Sequence, residues 1–179
     1  DTLYLEKYLE RPRHIEIQVL GDGRGKVVHL GERDCSLQRR HQKILEETPS
    51  PALNAPERQA ICARVVEAMA EISYRGVGTV EFLYADGEFY FIEMNTRLQV
   101  EHPITEATTN IDLVREQLRI AAGVPLELTQ ETVRAEGHAI ECRMNAEVPW
   151  TLAPSPGRST EYQPPGGLGG RVDSALYAG

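Results

Sequence analysis

Glu93-Met94-Asn95-Thr96-Arg97-Leu98-Gln99-Val100-Glu101-His102 brings two carboxylates, a carboxamide, a guanidinium, a second amide and a histidine into ten consecutive positions. The run before it, Phe89-Tyr90-Phe91-Ile92, is apolar and β-prone, so the stretch opens as a strand. Side chains alternate along a strand, which sends Glu93, Asn95 and Arg97 to one face and Ile92 and Met94 to a core-facing one. Oxygen donors beside a fixed cation suit a magnesium-held polyphosphate, because hard cations take carboxylate and carboxamide oxygens. A solvated strand edge with an ion pair is the plain alternative. The preceding strand argues against it by supplying a matching carboxylate, Glu81.

Glu81 lies in Gly78-Thr79-Val80-Glu81-Phe82-Leu83-Tyr84, and Ala85-Asp86-Gly87 separates that run from Glu88–Glu93 in the pattern of a β-hairpin. A two-residue Asp-Gly loop would set Glu81 opposite Ile92 and leave Glu81 and Glu93 on opposite faces. A three-residue loop, with Gly87 left-handed in a bulge, pairs Glu81 with Phe91 instead. Glu81 and Glu93 then become diagonal neighbours with Cα atoms roughly 7–8 Å apart, close enough to share a metal. The three-residue loop is the expectation, and a two-residue register would sink the shared-metal reading.

Glu81 followed by Glu93-Met94-Asn95 resembles the metal-binding strand pair of ATP-grasp ligases. The continuation Thr96-Arg97-Leu98-Gln99-Val100-Glu101-His102-Pro103 narrows the resemblance to the biotin carboxylase component of biotin-dependent carboxylases, and it runs along essentially the whole chain. It implies an α+β fold: the C-terminal half of an ATP-grasp domain, an antiparallel sheet with packed helices, over residues 1–134, and the truncated start of the biotin carboxylase C-terminal domain over 135–179.

The 179 residues are 41% hydrophobic, enough for one sizeable core, and carry a net charge of −8 with a pI near 5.2. Arg39-Arg40-His41-Gln42-Lys43 is the densest basic run, bracketed by acids, so no nucleic-acid footprint is expected. No stretch is long and apolar enough for a membrane span, and the start shows no secretory signal. Cys35, Cys62 and Cys142 have no paired or metal-ligand spacing and read as reduced structural thiols of a cytosol-like compartment. The chain begins inside a strand-like run without methionine and reads as an excised piece.

In order, Leu3-Tyr4-Leu5-Glu6-Lys7-Tyr8-Leu9 is expected as a strand, and His14–Leu20 with Lys26–Leu30 as a hairpin around a glycine-rich turn. That turn lacks the following helix a phosphate loop needs. Glu32–Lys43 concentrates donors without an apolar period, as a loop passing an anionic ligand would. Glu46–Pro51 reads as a turn. A helix is expected from Ala55 to Ser73, capped by Asn54, with Ile61, Val65, Ala68, Met69 and Ile72 inward. Pro103 reads as a strand breaker. A second helix is expected over Ile111–Ala122, capped by Asn110 and burying Val114, Leu118 and Ala121. His138–Asn145 alternates, with Ile140, Cys142 and Met144 inward and Arg143 beside Glu141. The Gly- and Pro-dense remainder reads as loops between short strands.

The resemblance then assigns roles. Glu6, Lys7, Tyr8, Leu9, His14, Gln38, His41 and Leu83 map to the nucleotide. Glu81, Glu93 and Asn95 map to two Mg2+ or Mn2+ ions on the ATP phosphates. Arg97, Gln99, the Val100 backbone and Lys43 map to bicarbonate, with Glu101 as its general base, held ionised beside Arg97. Arg143 faces biotin and steadies its enolate. The implied reaction phosphorylates bicarbonate to carboxyphosphate, after which biotin on its carrier domain attacks CO2. A carboxyltransferase component, homodimerisation, acyl-CoA carboxylation in fatty acid metabolism, and a cytoplasmic or mitochondrial-matrix location follow from the same resemblance. The excised piece, lacking the family's Gly-rich lid, is expected to have little activity alone. The competing classes are another ATP-grasp carboxylate ligase and a non-catalytic assembly module.

Overall fold

Strand β1 (Arg13–Asp22) has a different chemistry on each face: Ile15, Ile17 and Val19 are fully buried on one side, while His14, Glu16 and Gln18 take the other. Around it the computed structural model, which describes residues 2–177, builds an antiparallel sheet of six strands in the order β5-β4-β1-β2-β3-β6. The remaining strands are β2 (Val27–Arg39), β3 (Gln42–Thr48), β4 (Arg75–Ala85), β5 (Glu88–Asn95) and β6 (Ala139–Cys142). The fold class is α+β, as expected.

Helix α1 (Ala55–Glu71) covers the apolar face. Asn54 caps it through a reciprocal pair of hydrogen bonds with Glu57, which satisfies two otherwise orphaned amides. Its Ile61, Cys62 and Val65 pack on Ile15, Ile17, Val19, Val80 and Phe82, whereas Ile72, expected inward, is exposed past the helix end. A second cluster joins Leu20, Val28, Leu30 and Val77 to Leu113, Ile120 and Leu126.

Several local expectations are corrected. Residues 2–10 form no strand; Leu3, Tyr4, Leu5 and Tyr8 are exposed, and β propensity without a pairing partner does not make a ladder. The donor-rich segment is not a loop but the β2–β3 hairpin, turning at Arg40-His41, whose φ values of 51° and 64° fit a tight two-residue turn. The expected turn over Glu46–Pro51 begins only after β3, which runs to Thr48. Pro103 opens helix α2 (His102–Thr109), where its missing amide costs nothing. Asn110 ends α2 in a left-handed conformation, and Asp112 caps α3 (Leu113–Ala121), whose buried residues are Leu113 and Ile120 while Val114 and Leu118 are exposed.

β6 is turned over relative to expectation. Ile140, Cys142 and Met144 are exposed, and Glu141 and Arg143 are half-buried, because β3 presents Glu46 opposite Glu141 and buried charge draws the polar row inward. The chain divides into two compact units, Asp1–Arg143 and Met144–Gly179. The first unit ends one residue past β6. Within the second unit an isolated Glu147–Pro154 bridge is the only β pairing among the described residues, so the expected short strands do not form.

Candidate active site

The β4–β5 hairpin settles the carboxylate geometry by a route the sequence did not anticipate. Ala85 pairs with Glu88, so the loop is the two-residue Asp86-Gly87 turn, with φ of 52° and 82°, and Phe82 pairs with Phe91. The three-residue loop and the Glu81–Phe91 pairing are therefore wrong. Continued to Glu81, the two-residue register would have faced Glu93 away. Instead the register shifts between Phe82 and Glu81, leaving Ile92 as the extra residue of a β-bulge and setting Glu93 directly opposite Glu81. Ile92, expected in the core, is 43% exposed there. The bulge restores one face to both carboxylates.

On that face Asn95 donates its amide to Glu81 (2.9 Å) and Glu93 (3.1 Å). The space between the carboxylates thus already holds a hydrogen-bond donor, and turning the amide over would present oxygen in its place. Two carboxylates and a carboxamide form an all-oxygen set suited to a hard divalent cation. Glu81 further accepts from His14 (2.6 Å), Lys43 (3.1 Å) and Gln99 (2.7 Å). Burial pushes its carboxyl up, but the His14 hydrogen bond and the Lys43 charge outweigh that and hold it at about 2.

Lys43 reaches the centre of the face from β3, within 2.6 Å of Glu16, 2.7 Å of Glu101 and 3.1 Å of Glu81. Burial disfavours its charge, but Glu16, Cys35 and Glu101 around it raise its pKa above the ordinary value. Glu101, 2% exposed at the N-terminus of α2, accepts from Lys43 and, at 3.0 Å, from Arg143. Burial raises its carboxyl, yet Lys43, with Arg33 adding, brings it below the usual carboxylate range. The cations that keep Glu101 ionised are these, where the sequence reading gave the part to Arg97. Arg143 also binds Glu46 at 2.7 Å rather than Glu141.

Sequence reasoning missed Arg33. Fully buried, it spends all five N–H donors on Glu16 (2.6 Å), Gln18 (2.6 Å), Thr105 (2.9 Å), Gln99 (3.1 Å) and Thr79 (3.2 Å). It ties β1, β2, β4, α2 and the loop before α2 together. Glu16 was missed with it, although its place between His14 and Gln18 on an alternating strand was the available signal. Two groups, His14-Glu16-Glu81 and Glu16-Cys35-Glu101, set ligand atoms within 4.8 Å of one another, and the Lys43 ammonium bonds Glu16, Glu81 and Glu101 among them.

The other expected residues divide. His14 pairs across strands with Leu83 and contacts Gln38 at 3.1 Å, so these three form a patch adjoining Glu81. Lys7 donates to Tyr90 on β5, while Glu6 and Tyr8 are exposed and Leu9 half-buried. His41 stands exposed in the β2–β3 turn. Arg97 is exposed and bonds Asn95 and the Leu98 carbonyl, Val100 is 57% exposed, and Gln99 is turned inward to Glu81 and Arg33. Arg97 and Gln99 are thus turned to different partners.

Over residues 1–129 the sequence matches the family described as carbamoyl-phosphate synthase L chain, ATP binding domain. Across 179 residues it is 60% identical to the biotin carboxylase of Haemophilus influenzae, covering 100% of this chain and 40% of that protein. It is 59% identical over 177 residues to the biotin carboxylase of Pseudomonas aeruginosa, 99% of this chain and 39% of that protein. Among solved structures it is similar to the biotin carboxylase domain dimer of Hydrogenobacter thermophilus 2-oxoglutarate carboxylase in complex with MgADP, ADP and bicarbonate. That likeness has 54% identity and a TM-score of 0.87, over 91% of this chain and 36% of that one. The chain spans about 40% of the length of such relatives.

Proposed function

We propose that this chain, which belongs to the family of the carbamoyl-phosphate synthase L chain ATP-binding domain, supplies the metal, nucleotide and anion sites of a biotin carboxylase. The reaction proposed for the whole protein is ATP-dependent carboxylation of carrier-bound biotin by bicarbonate. The observation that carries it is the convergence of Glu81, Glu93 and Asn95 with Lys43, Glu101 and Arg143 on one sheet face.

Glu81, Glu93 and Asn95 would hold Mg2+ or Mn2+, which when bound neutralises charge on the ATP phosphates. The base would lie on the Leu83–His14–Gln38 patch, with Glu6 to Leu9 and His41 at its margin. Bicarbonate would be held by Lys43 and Arg97 with Gln99 and the Val100 amide. Lysine, a compact point charge, suits a small oxyanion, and the fork of Arg97 suits its paired oxygens. As a bicarbonate oxygen bonds the terminal phosphorus and the bridging P–O bond breaks, Glu101 takes the bicarbonate proton. A base must be ionised beforehand, and Lys43 and Arg33 favour that state. Carboxyphosphate then releases CO2, phosphate takes the ureido proton of biotin, and Arg143 steadies the resulting enolate. Partners follow from this reading: a biotinyl carrier domain, a carboxyltransferase component serving acyl-CoA or another acceptor, and a second copy of the whole protein. No helix among the described residues is long and apolar enough to cross a membrane; a cytoplasmic or organellar-matrix location is part of the same proposal.

The test is calorimetric titration of ATP with Mg2+, with Mn2+ and with neither into the protein, beside Glu93→Gln and Glu81→Gln. Metal-dependent binding lost in both variants is expected. Equal binding by all three proteins, or binding indifferent to metal, would refute the assignment.

A further inference from the structure

Glu46 on β3 and Glu141 on β6 are direct cross-strand partners on the charged face, and no step of the proposed reaction uses either. Glu46 is 0% exposed, and each residue has one buried carboxylate oxygen, Oε2, without a hydrogen-bond partner. The other oxygen of Glu46 receives Arg143 at 2.7 Å, while a second Arg143 nitrogen donates to Glu101 at 3.0 Å.

Two buried, unpartnered carboxylate oxygens on opposed residues are costly twice over, through lost solvation and through repulsion between like charges. One proton removes both penalties, because a protonated carboxyl donates and an ionised one accepts. The surrounding charges favour such a proton. Glu16, Glu46, Glu81, Glu101 and Glu141 meet the permanent cations Arg33, Lys43 and Arg143 on this face, so negative charge is in excess.

We propose that Glu46 and Glu141 hold one proton between their carboxyl groups and that this proton positions Arg143 by leaving its guanidinium shared with Glu101. Without the proton, the pair carries a second negative charge and draws Arg143 away from Glu101. The groups facing the pair are Arg143, the residue after β6, Glu101 at the start of α2, Glu16 on β1 and Arg33 on β2. From α2, His102 is turned to the Gln99 carbonyl and Glu106 to the Leu113 amide. Burial first, then Glu46 and Glu101, push the Glu141 carboxyl up to about 7, and burial likewise raises Glu46. The pair titrates as a unit.

That Arg143 serves biotin rests on the function proposed above; the shared proton does not. The test is 13C NMR of the glutamate carboxyl carbons across pH in the full chain, with the Arg143 Nε–H followed in the same samples, beside Glu141→Gln. One carboxyl is expected to stay protonated well above the ordinary glutamate range, and the Arg143 Nε–H to shift with the same midpoint. Both signals should be flat in Glu141→Gln, which mimics the protonated carboxyl. Ordinary titration of both glutamates, or an Arg143 signal that ignores the midpoint, overturns the proposal. Protection of the pair by added metal, marking a cation in place of the proton, overturns it too. The KM for biotin in the whole protein is a separate readout: a several-fold rise above the midpoint, absent in Glu141→Gln and not shared by the KM for ATP, supports the biotin role. Its constancy with an intact proton signal would sink only that role.

Discussion

The two faces of one sheet solve opposite problems with the same strands. On one, Ile15, Ile17, Val19, Val80 and Phe82 meet α1 through apolar contact alone, which needs shape but no partner-by-partner pairing. On the other, Glu16, Arg33, Glu81 and Glu101 are as deeply buried, and each must be matched by a donor or acceptor at hydrogen-bond distance. Apolar burial stabilises nearly any well-filled arrangement. Buried charge stabilises only one arrangement and penalises the rest, so it serves to fix the geometry of a site more than to strengthen a fold. Arg33 is where that difference is most concentrated.

The largest effect expected is therefore from Arg33→Met. It leaves Glu16 facing Lys43 alone and takes a donor from the side-chain oxygens of Gln18, Gln99, Thr79 and Thr105, while the Gln18 and Gln99 amides keep Gly78 and Glu81. Removing one partner from a buried charge network costs about 3–5 kcal/mol. Ile17→Val on the opposite face, which leaves a one-methylene void, should cost about 0.5–1.5 kcal/mol. Urea unfolding of both measures the contrast. If Arg33→Met costs no more than Ile17→Val, the charged face is not a cooperative network.

The faces should also separate by pH. Glu81, held at about 2 against an unfolded value of 4.5, contributes stability that is present above pH 4.5 and lost as pH falls towards 2. Glu141 has the opposite sign. Its folded value of about 7 exceeds 4.5, so the folded state holds an extra proton between them, and stability declines as pH rises through that window. Melting temperature against pH should show both limbs. Glu81→Gln should flatten the acid one and Glu141→Gln the neutral one, while Ile17→Val should shift the whole curve and change neither slope. A variant curve parallel to that of the parent protein would separate these carboxyls from the pH response.

How far each face was legible follows from the same contrast. The α1 face could be read because a helical stripe and a strand alternation meet through simple periods, and Asn54 was visible as the cap, though its partner Glu57 was not named. The half of the site carried by one strand, Glu93 and Asn95 against Glu81, was legible in residue type but not in register, since nothing in Phe91-Ile92-Glu93 marks a bulge. The Lys43–Glu101–Arg143 convergence joins positions up to 100 apart and has no local signal. Arg33–Lys43 looked like a loop because both faces of that segment are polar: Arg33 meets Glu16 on one side, and Asp34 meets Arg13 and Ser50 on the other. A strand paired by charge on both sides carries no apolar period. The turned-over β6 has another origin: it does alternate, but the buried Glu46 opposite Glu141 draws its polar row inward.

The smallest expected stability change is also the sharpest test of the division between faces. Glu93 is exposed and its contact is the Asn95 amide, so Glu93→Gln should alter unfolding free energy by less than about 0.5 kcal/mol. Metal-nucleotide bound only by the folded state raises stability by mass action, by about 2.7 kcal/mol at a concentration one hundred times the Kd. That increment should vanish in Glu93→Gln although the apo protein melts normally. Deleting Ile92 refines the point. With the extra residue gone, the two-residue register itself sets Glu93 opposite Glu81, so the deletion should keep the ligand-induced rise that the conservative substitution loses. If instead the deletion abolishes the rise and Glu93→Gln retains it, the bulge, with its local twist, holds the ligand and the carboxylate does not.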